Sequence, residues 1–196
     1  TLWTLEAMAH GAEFVSYFRW RQAPFAQEQM HAGLLRPDSV DAPGAEEARE
    51  AADAIKRLGP QAAGPAQVAL VFSYEAAWVC GIQPQGESFR YLELAYEWYS
   101  AARRFGLDID IVSPEADLGS YKMVLVPTLP IVPTGFAKKV RALDCPVLFG
   151  PRSGSKTDSF CIPDKLAPGE LRDLFNLAIT RVESLRNGES EKAGSG

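Results

Sequence analysis

The stretch richest in side chains able to do chemistry is Trp20-Arg21-Gln22-Ala23-Pro24-Phe25-Ala26-Gln27-Glu28-Gln29-Met30-His31. It joins aromatic rings, a carboxylate and an imidazole within one short segment. A ring packs on the apolar face of a pyranose, while a carboxylate and an imidazole bond its hydroxyls, so the set suits a sugar. Other readings stay open. Core packing alone accounts for Trp20. Arg19 and Arg21 read equally as surface or ion-pair residues. Glu28 and His31, three apart, also fit a solvated helical turn.

Other candidates are weaker. Gly150-Pro151-Arg152-Ser153-Gly154-Ser155-Lys156-Thr157 superficially resembles a phosphate loop. Counting back from Lys156, its glycines stand at 154 and 150, which is not the G-x-x-x-x-G-K-[ST] spacing, and a structural loop is the expected reading. No G-x-G-x-x-G follows the first strand of the second half, so a nicotinamide site is unsupported. The three cysteines, Cys80, Cys145 and Cys161, are widely spaced and form no C-x-x-C pair, so no zinc site is expected from them. Cys80 is placed in a loop or turn, and Cys145 precedes its strand. Both histidines, His10 and His31, precede the second half, which disfavours a Cys–His nucleophile there.

The elements that would hold these residues fall into two parts. Leu2, Leu5, Met8, Ala9 and Ala12 predict a helix capped by Thr1 and stopped near Gly11. Residues 14–20, aromatic and β-branched, predict a strand, followed by a polar, irregular stretch from 21 to about 43. Ala48, Ala51, Ala52, Ile55 and Leu58 predict an amphipathic helix closed by Gly59-Pro60. One strand leaves its backbone groups unpaired, so residues 1–60 are expected to belong with partners outside them. Residues 61–64 read as a linker.

From residue 65 the pattern is self-sufficient. Val68-Ala69-Leu70-Val71-Phe72 is a continuous apolar strand of the doubly covered kind, followed by a loop to about Glu87. Phe89, Leu92, Ala95, Tyr96, Tyr99 and Ala102 predict a helix stopped at Gly106. Strands are expected at 108–112, 123–126 and 146–149, with a helix over 134–143 capped by Thr134. The alternation implies a parallel sheet with helices on both faces, in a flavodoxin-like layout. A helix over 171–177 and a strand over 179–185 complete a domain at 65–187, and 188–196 reads as a disordered tail that ends in an added-looking Gly194-Ser195-Gly196.

The bulk properties fit this division. The 196 residues suffice for one good-sized domain or one domain and part of another, and a net charge of −5 argues against a nucleic-acid partner. No apolar run approaches the ~18 residues of a membrane span. No signal peptide is visible in a chain that starts at Thr1 without a Met, and reduced thiols fit the cytoplasm.

Several ordered motifs then resemble one family. Leu2-Trp3-Thr4-Leu5-Glu6-Ala7-Met8-Ala9-His10-Gly11-Ala12, Tyr17-Phe18-Arg19-Trp20-Arg21-Gln22 and Glu28-Gln29-Met30-His31-Ala32-Gly33 resemble the family 42 glycoside hydrolases, the β-galactosidases. Val71-Phe72-Ser73-Tyr74-Glu75-Ala76-Ala77-Trp78, Gln83-Pro84-Gln85-Gly86, Val126-Pro127-Thr128-Leu129-Pro130 and Leu148 to Thr157 agree in order, over nearly the whole chain to about Leu185. The resemblance implies the end of a (β/α)₈ barrel followed by a flavodoxin-like (class I amidotransferase-like) α/β domain that forms a homotrimer. It implies galactose contacts from Glu28 and His31, with Gln29 and Met30 as neighbours; Trp20 and Phe25 are added here as pocket walls. It places both catalytic carboxylates, and any metal-binding cysteines, upstream of Thr1, so neither a catalytic residue nor a cofactor is expected in this chain. A retaining glycosidase needs two carboxyl groups about 5–5.5 Å apart, and Glu28 is neither of them. Two other readings remain: an oligomerisation module without a working sugar site, and a divergent amidotransferase-like enzyme using Cys145 or Cys80.

Overall fold

The computed structural model describes residues 1–59, 64–86, 88–186 and 188–190. The chain divides into two compact units, Thr1–Gly64 and Pro65–Gly196. Residues 61–63 of the expected linker, its neighbour 60 and the end of the tail, 191–196, lie outside the described residues.

In the first unit, helix α1 spans Leu2–Ala9 and helix α2 spans Pro43–Leu58. The Thr1 hydroxyl does not cap α1: it donates to the Glu47 carbonyl of α2 at 3.2 Å. Helix α2 begins with Pro at its first position, where the missing N–H costs nothing, and ends at Gly59 with φ 68°. It buries Ala45 and Ala51, whereas Ala52 and Leu58, expected on the same face, are exposed.

Residues 14–20 form no strand. The segment is irregular and is tied to α1 where the hydroxyls of Thr4 and Tyr17 meet at 2.7 Å. Strand-forming residue types need adjacent strands to complete the ladder, and the described part of this unit contains none. The stretch after it is more ordered than its polar sequence suggests, with bridges Arg21↔Leu35 and Leu35↔Asp41.

The second unit is a four-stranded, all-parallel sheet in the order β2-β1-β3-β4, formed by Val68–Val71 (β1), Ile109–Val112 (β2), Met123–Val126 (β3) and Val147–Phe149 (β4). Central β1 is buried throughout, which explains its unbroken apolar run. Alternation divides its side chains between two cores. Val68 and Leu70 pack with Leu125 and Ala102, the last from helix α4 (Tyr91–Arg104). Ala69 and Val71 pack with Val124, Val126, and Phe136 and Val140 of helix α5 (Phe136–Arg141).

Three expectations for this unit need correction. The loop expected after β1 is helix α3, Tyr74–Ile82. Ser73 caps it, its hydroxyl accepting from the Ala76 N–H at 3.1 Å. The helix was invisible to periodicity because Glu75 is its only charged residue and apolar side chains surround it. Helix α5 starts two residues late, after Gly135 in a left-handed conformation, without a Thr134 cap. Near the C-terminal end, a 3₁₀ turn at Gly169–Leu171 leads into α6, Arg172–Phe175, and residues 179–185 pair in no strand.

The Gly150–Thr157 segment is the structural loop expected. Its N–H groups are turned inward: Gly150 donates to Val126, Gly154 to Leu129 and Lys156 to Pro130, at 2.8, 2.9 and 3.0 Å. Those donors are consumed by the fold and unavailable to a phosphate. Gly154 is required, because φ is 68° and an added Cβ would lie 1.9 Å from the Pro168 carbonyl oxygen.

Candidate functional site

Main-chain pairing creates the site in the first unit. Leu34 and Leu35 donate to the Arg19 and Trp20 carbonyls, both at 2.8 Å, and Gln22 donates to the Leu35 carbonyl at 2.9 Å. These three bonds close a loop with Glu28 to His31 at its outer part. Gly33 makes the closure possible. A Cβ there would stand 2.6 Å from the Gln22 nitrogen and 2.7 Å from the Arg21 carbonyl carbon.

Within the loop the side chains hold the backbone. Gln22 donates through Nε2 to the Gln29 carbonyl at 2.6 Å, and Gln29 through Nε2 to that of Ala26 at 2.5 Å. Arg19 reaches Glu28 twice, donating to its carbonyl at 3.3 Å and its carboxylate at 3.4 Å. The pair is exposed on the Glu28 side, so it orients the carboxylate more than it stabilises the fold. The His31 N–H donates to the Glu28 carbonyl at 3.1 Å, and its ring meets Phe18 edge-on with centroids 6.1 Å apart. Arg19 also lies over the Phe18 ring, 4.8 Å from its centroid. Ala26 and Glu28 adopt left-handed backbone, φ 67° and 59°. For side chains other than glycine this is uncommon and holds only where surrounding bonds fix it.

Glu28 and His31 therefore stand together, three residues apart, on a braced loop. Among the described residues, neither ring nitrogen of His31 has a hydrogen-bond partner. Gln29 serves the loop itself. Met30, Trp20 and Phe25 are 92%, 71% and 74% exposed, so Trp20 does not belong to the core of this unit and these side chains enclose no pocket among its described residues. Sequence reading missed Phe18, Gln22 and Gly33 as supports, and left Arg19 undecided between surface and ion pair. The nearness of Arg19 and Gln22 to the loop's closing point was the available signal for them.

A carboxylate and an imidazole on one braced loop are chemically suited to the hydroxyls of a polyol. Glu28 is partnered by a guanidinium rather than by a second carboxyl group. No cluster of three or more His, Cys, Asp or Glu side chains able to hold a metal occurs among the described residues. The amidotransferase-like alternative finds no support at Cys80. Cys80 lies within α3, not in a loop, and burial pushes its thiol up, with Arg152 opposing only in part. Cavities of about 630 and 390 Å³ are lined wholly by residues of the second unit.

Comparison with known proteins accounts for both units. The family model for the β-galactosidase trimerisation domain matches residues 66–195, and the β-galactosidase model matches residues 1–58. A β-galactosidase from Thermus thermophilus is 56% identical over 98% of this chain and 30% of its own length. Beta-galactosidase BgaH of Haloferax lucentense is 40% identical over 94% of this chain and 28% of its own. Among solved structures, the β-galactosidase of the psychrophilic Marinomonas ef1 superposes with a TM-score of 0.90 at 43% identity, covering 96% of this chain and 30% of that one. That of the haloarchaeon Halorubrum lacusprofundi gives 0.89 at 36%, covering 95% and 28%. The chain thus spans about 30% of the length of the relatives it matches. Matched in both units and in the order of its motifs, the chain belongs to the family 42 glycoside hydrolases, the β-galactosidases.

Proposed function

We propose that this chain is part of a retaining β-galactosidase that hydrolyses terminal, non-reducing β-D-galactose residues. In this reading residues 1–60 are the end of a (β/α)₈ barrel, with 14–20 its last strand once neighbours complete the ladder. Glu28 and His31 hold galactose hydroxyls, Gln29 and Met30 flank them, and Trp20 and Phe25 become pocket walls against the rest of the barrel. Both catalytic carboxylates come from outside the chain. The observation that carries the reading is the braced loop, which presents Glu28 and His31 side by side in a member of this family.

Residues 65–187 act as a flavodoxin-like (class I amidotransferase-like) homotrimerisation domain, and the strand order β2-β1-β3-β4 supports that layout. The protein works in the cytoplasm. No described helix is long and apolar enough to cross a membrane. A second reading, an oligomerisation module without a working sugar site, is favoured by one observation: the Glu28 loop is open to solvent and lines neither cavity.

The test is hydrolysis of a chromogenic β-galactoside by the purified chain. No turnover is expected, because two carboxyl groups at catalytic spacing are required. Turnover by pure protein would refute the placement of both carboxylates outside the chain.

A further inference from the structure

The carboxyl ends of β1 and β2 open into a groove of about 390 Å³, within the ~300–1,000 Å³ of small-molecule sites. Sheets of this kind commonly take ligands outside the carboxyl ends of their strands. The floor is continuous, because the Phe72 N–H, just past β1, donates to the Val112 carbonyl of β2 at 2.8 Å. Three aromatic rings line the groove. Tyr74 and Trp78 stand one turn apart on α3, 66% and 62% exposed. The half-buried Phe72 ring meets Tyr74 edge-on, with centroids 5.1 Å apart. Two carboxylates, Glu75 and Glu115, share the lining. The Ser73 hydroxyl donates to Glu75 at 3.0 Å. Glu115 sits in a turn closed by the Ala116 N–H, which donates to the Ser113 carbonyl at 3.1 Å. Lys139 of α5 braces that turn, donating to the Pro114 and Ala116 carbonyls, both at 2.8 Å, without lining the groove. Among the described residues no Lys, Arg or His lines it, and neither carboxylate pairs with a basic side chain.

We propose that this groove binds a small organic ammonium ion, its alkyl surface against the Tyr74 and Trp78 rings and its charge facing Glu75 and Glu115. Ring faces attract a cation through their quadrupole, and two carboxylates lining one groove raise the local concentration of cations. The lining therefore selects by charge as well as by shape. A neutral sugar would use the rings and leave both negative charges uncompensated. A bare metal ion would find two carboxylates only, and no group of three or more metal-holding side chains occurs among the described residues. A cation that carries its own apolar surface uses both halves of the lining at once, and a methylated ammonium is the simplest ligand of that class.

The test is titration of the 196-residue chain with choline, followed by NMR at the Trp78 indole N–H and the Ser113 and Glu115 amides. Two neutral probes run beside it: dimethylbutanol, the isostere in which carbon replaces the choline nitrogen, and methyl β-D-galactoside. The expected result is a saturable shift of those three signals with choline, weakened by added salt and absent with either neutral probe. Trp78→Ala and Glu115→Gln should each weaken choline at least about threefold, read at the signals that remain. Both side chains are exposed, and having two variants keeps the answer independent of one variant folding. Phe105→Ala, at an 83% exposed ring past the end of α4 and outside the lining, should bind as wild type does. No saturable shift with choline overturns the proposal. Equal binding of dimethylbutanol overturns it in favour of a merely apolar groove, and binding of the galactoside alone overturns it in favour of a carbohydrate subsite. Folded Trp78→Ala and Glu115→Gln variants that bind choline as wild type does overturn it as well.

Discussion

Replacing Gly33 by Ala tests the architecture of the sugar-site loop at its tightest point. The added methyl would sit 2.6 Å from the Gln22 nitrogen, 2.7 Å from the Arg21 carbonyl carbon and 2.9 Å from the Arg21 Cα. All three are backbone atoms, so no side chain can swing aside. The strands of the loop must part, and the bonds that part are the three from Leu34, Leu35 and Gln22. Taken at the low end of about 0.5–1.5 kcal/mol each, because the loop is exposed, they amount to about 1.5 kcal/mol. That is about a tenfold loss of exchange protection. The assay is native-state hydrogen exchange read at those three amides. A matched Ala32→Gly variant, which adds no atoms, serves as control. Retention of wild-type protection in Gly33→Ala would refute the claim that close backbone packing closes the loop.

Other outcomes follow from the second unit. The Tyr91 hydroxyl accepts from the buried Ser73 N–H at 2.7 Å. Tyr91→Phe should therefore cost about 1–3 kcal/mol in thermal or urea unfolding. Burial chiefly, with Cys80 and Glu75 adding, raises the Tyr91 phenol above its usual value, against a lowering by Ser73. The folded state then keeps the proton that the unfolded chain releases. Stability from this group is full below pH ~10 and lost as pH rises above it, and Tyr91→Phe should flatten that limb. Thiol labelling of the folded chain should modify exposed Cys161 first, then Cys145, with buried Cys80 last; a fast-reacting Cys80 would revive a cysteine nucleophile.

Much of the α/β unit was legible in the sequence because its signals are local. The run Val68-Ala69-Leu70-Val71 is buried on both faces and reads so. The α4 helix was placed by its apolar spacing, but of the residues that marked it only Ala95 and Ala102 are buried; Leu92 and Tyr96 face outward and Tyr91 is buried in their stead. The errors share a cause, which is that the deciding partners are distant. Helix α3 has two apolar sides, and period alone cannot report a helix without a polar face. Residues 14–20 have strand composition and no strand beside them. The Thr1 hydroxyl chooses a carbonyl 46 residues away over its own helix. At the site, residue types drew notice to the segment holding Glu28 and His31, and the family resemblance singled out those two. Their bracing by Arg19, Gln22 and Gly33 depends on a closure that no local pattern announces.

A chimera reveals whether this chain supplies galactose-holding residues to a β-galactosidase. The chain replaces the matching segment of the Thermus thermophilus β-galactosidase, to which it is 56% identical. The chimera should hydrolyse a chromogenic β-galactoside. Within it, Glu28→Gln or His31→Ala should lower kcat/KM about 10- to 100-fold, as expected when one bond worth about 1.5–3 kcal/mol to a charged group is lost. A chimera whose Glu28→Gln and His31→Ala variants are as active as their parent would show that neither side chain holds the galactose.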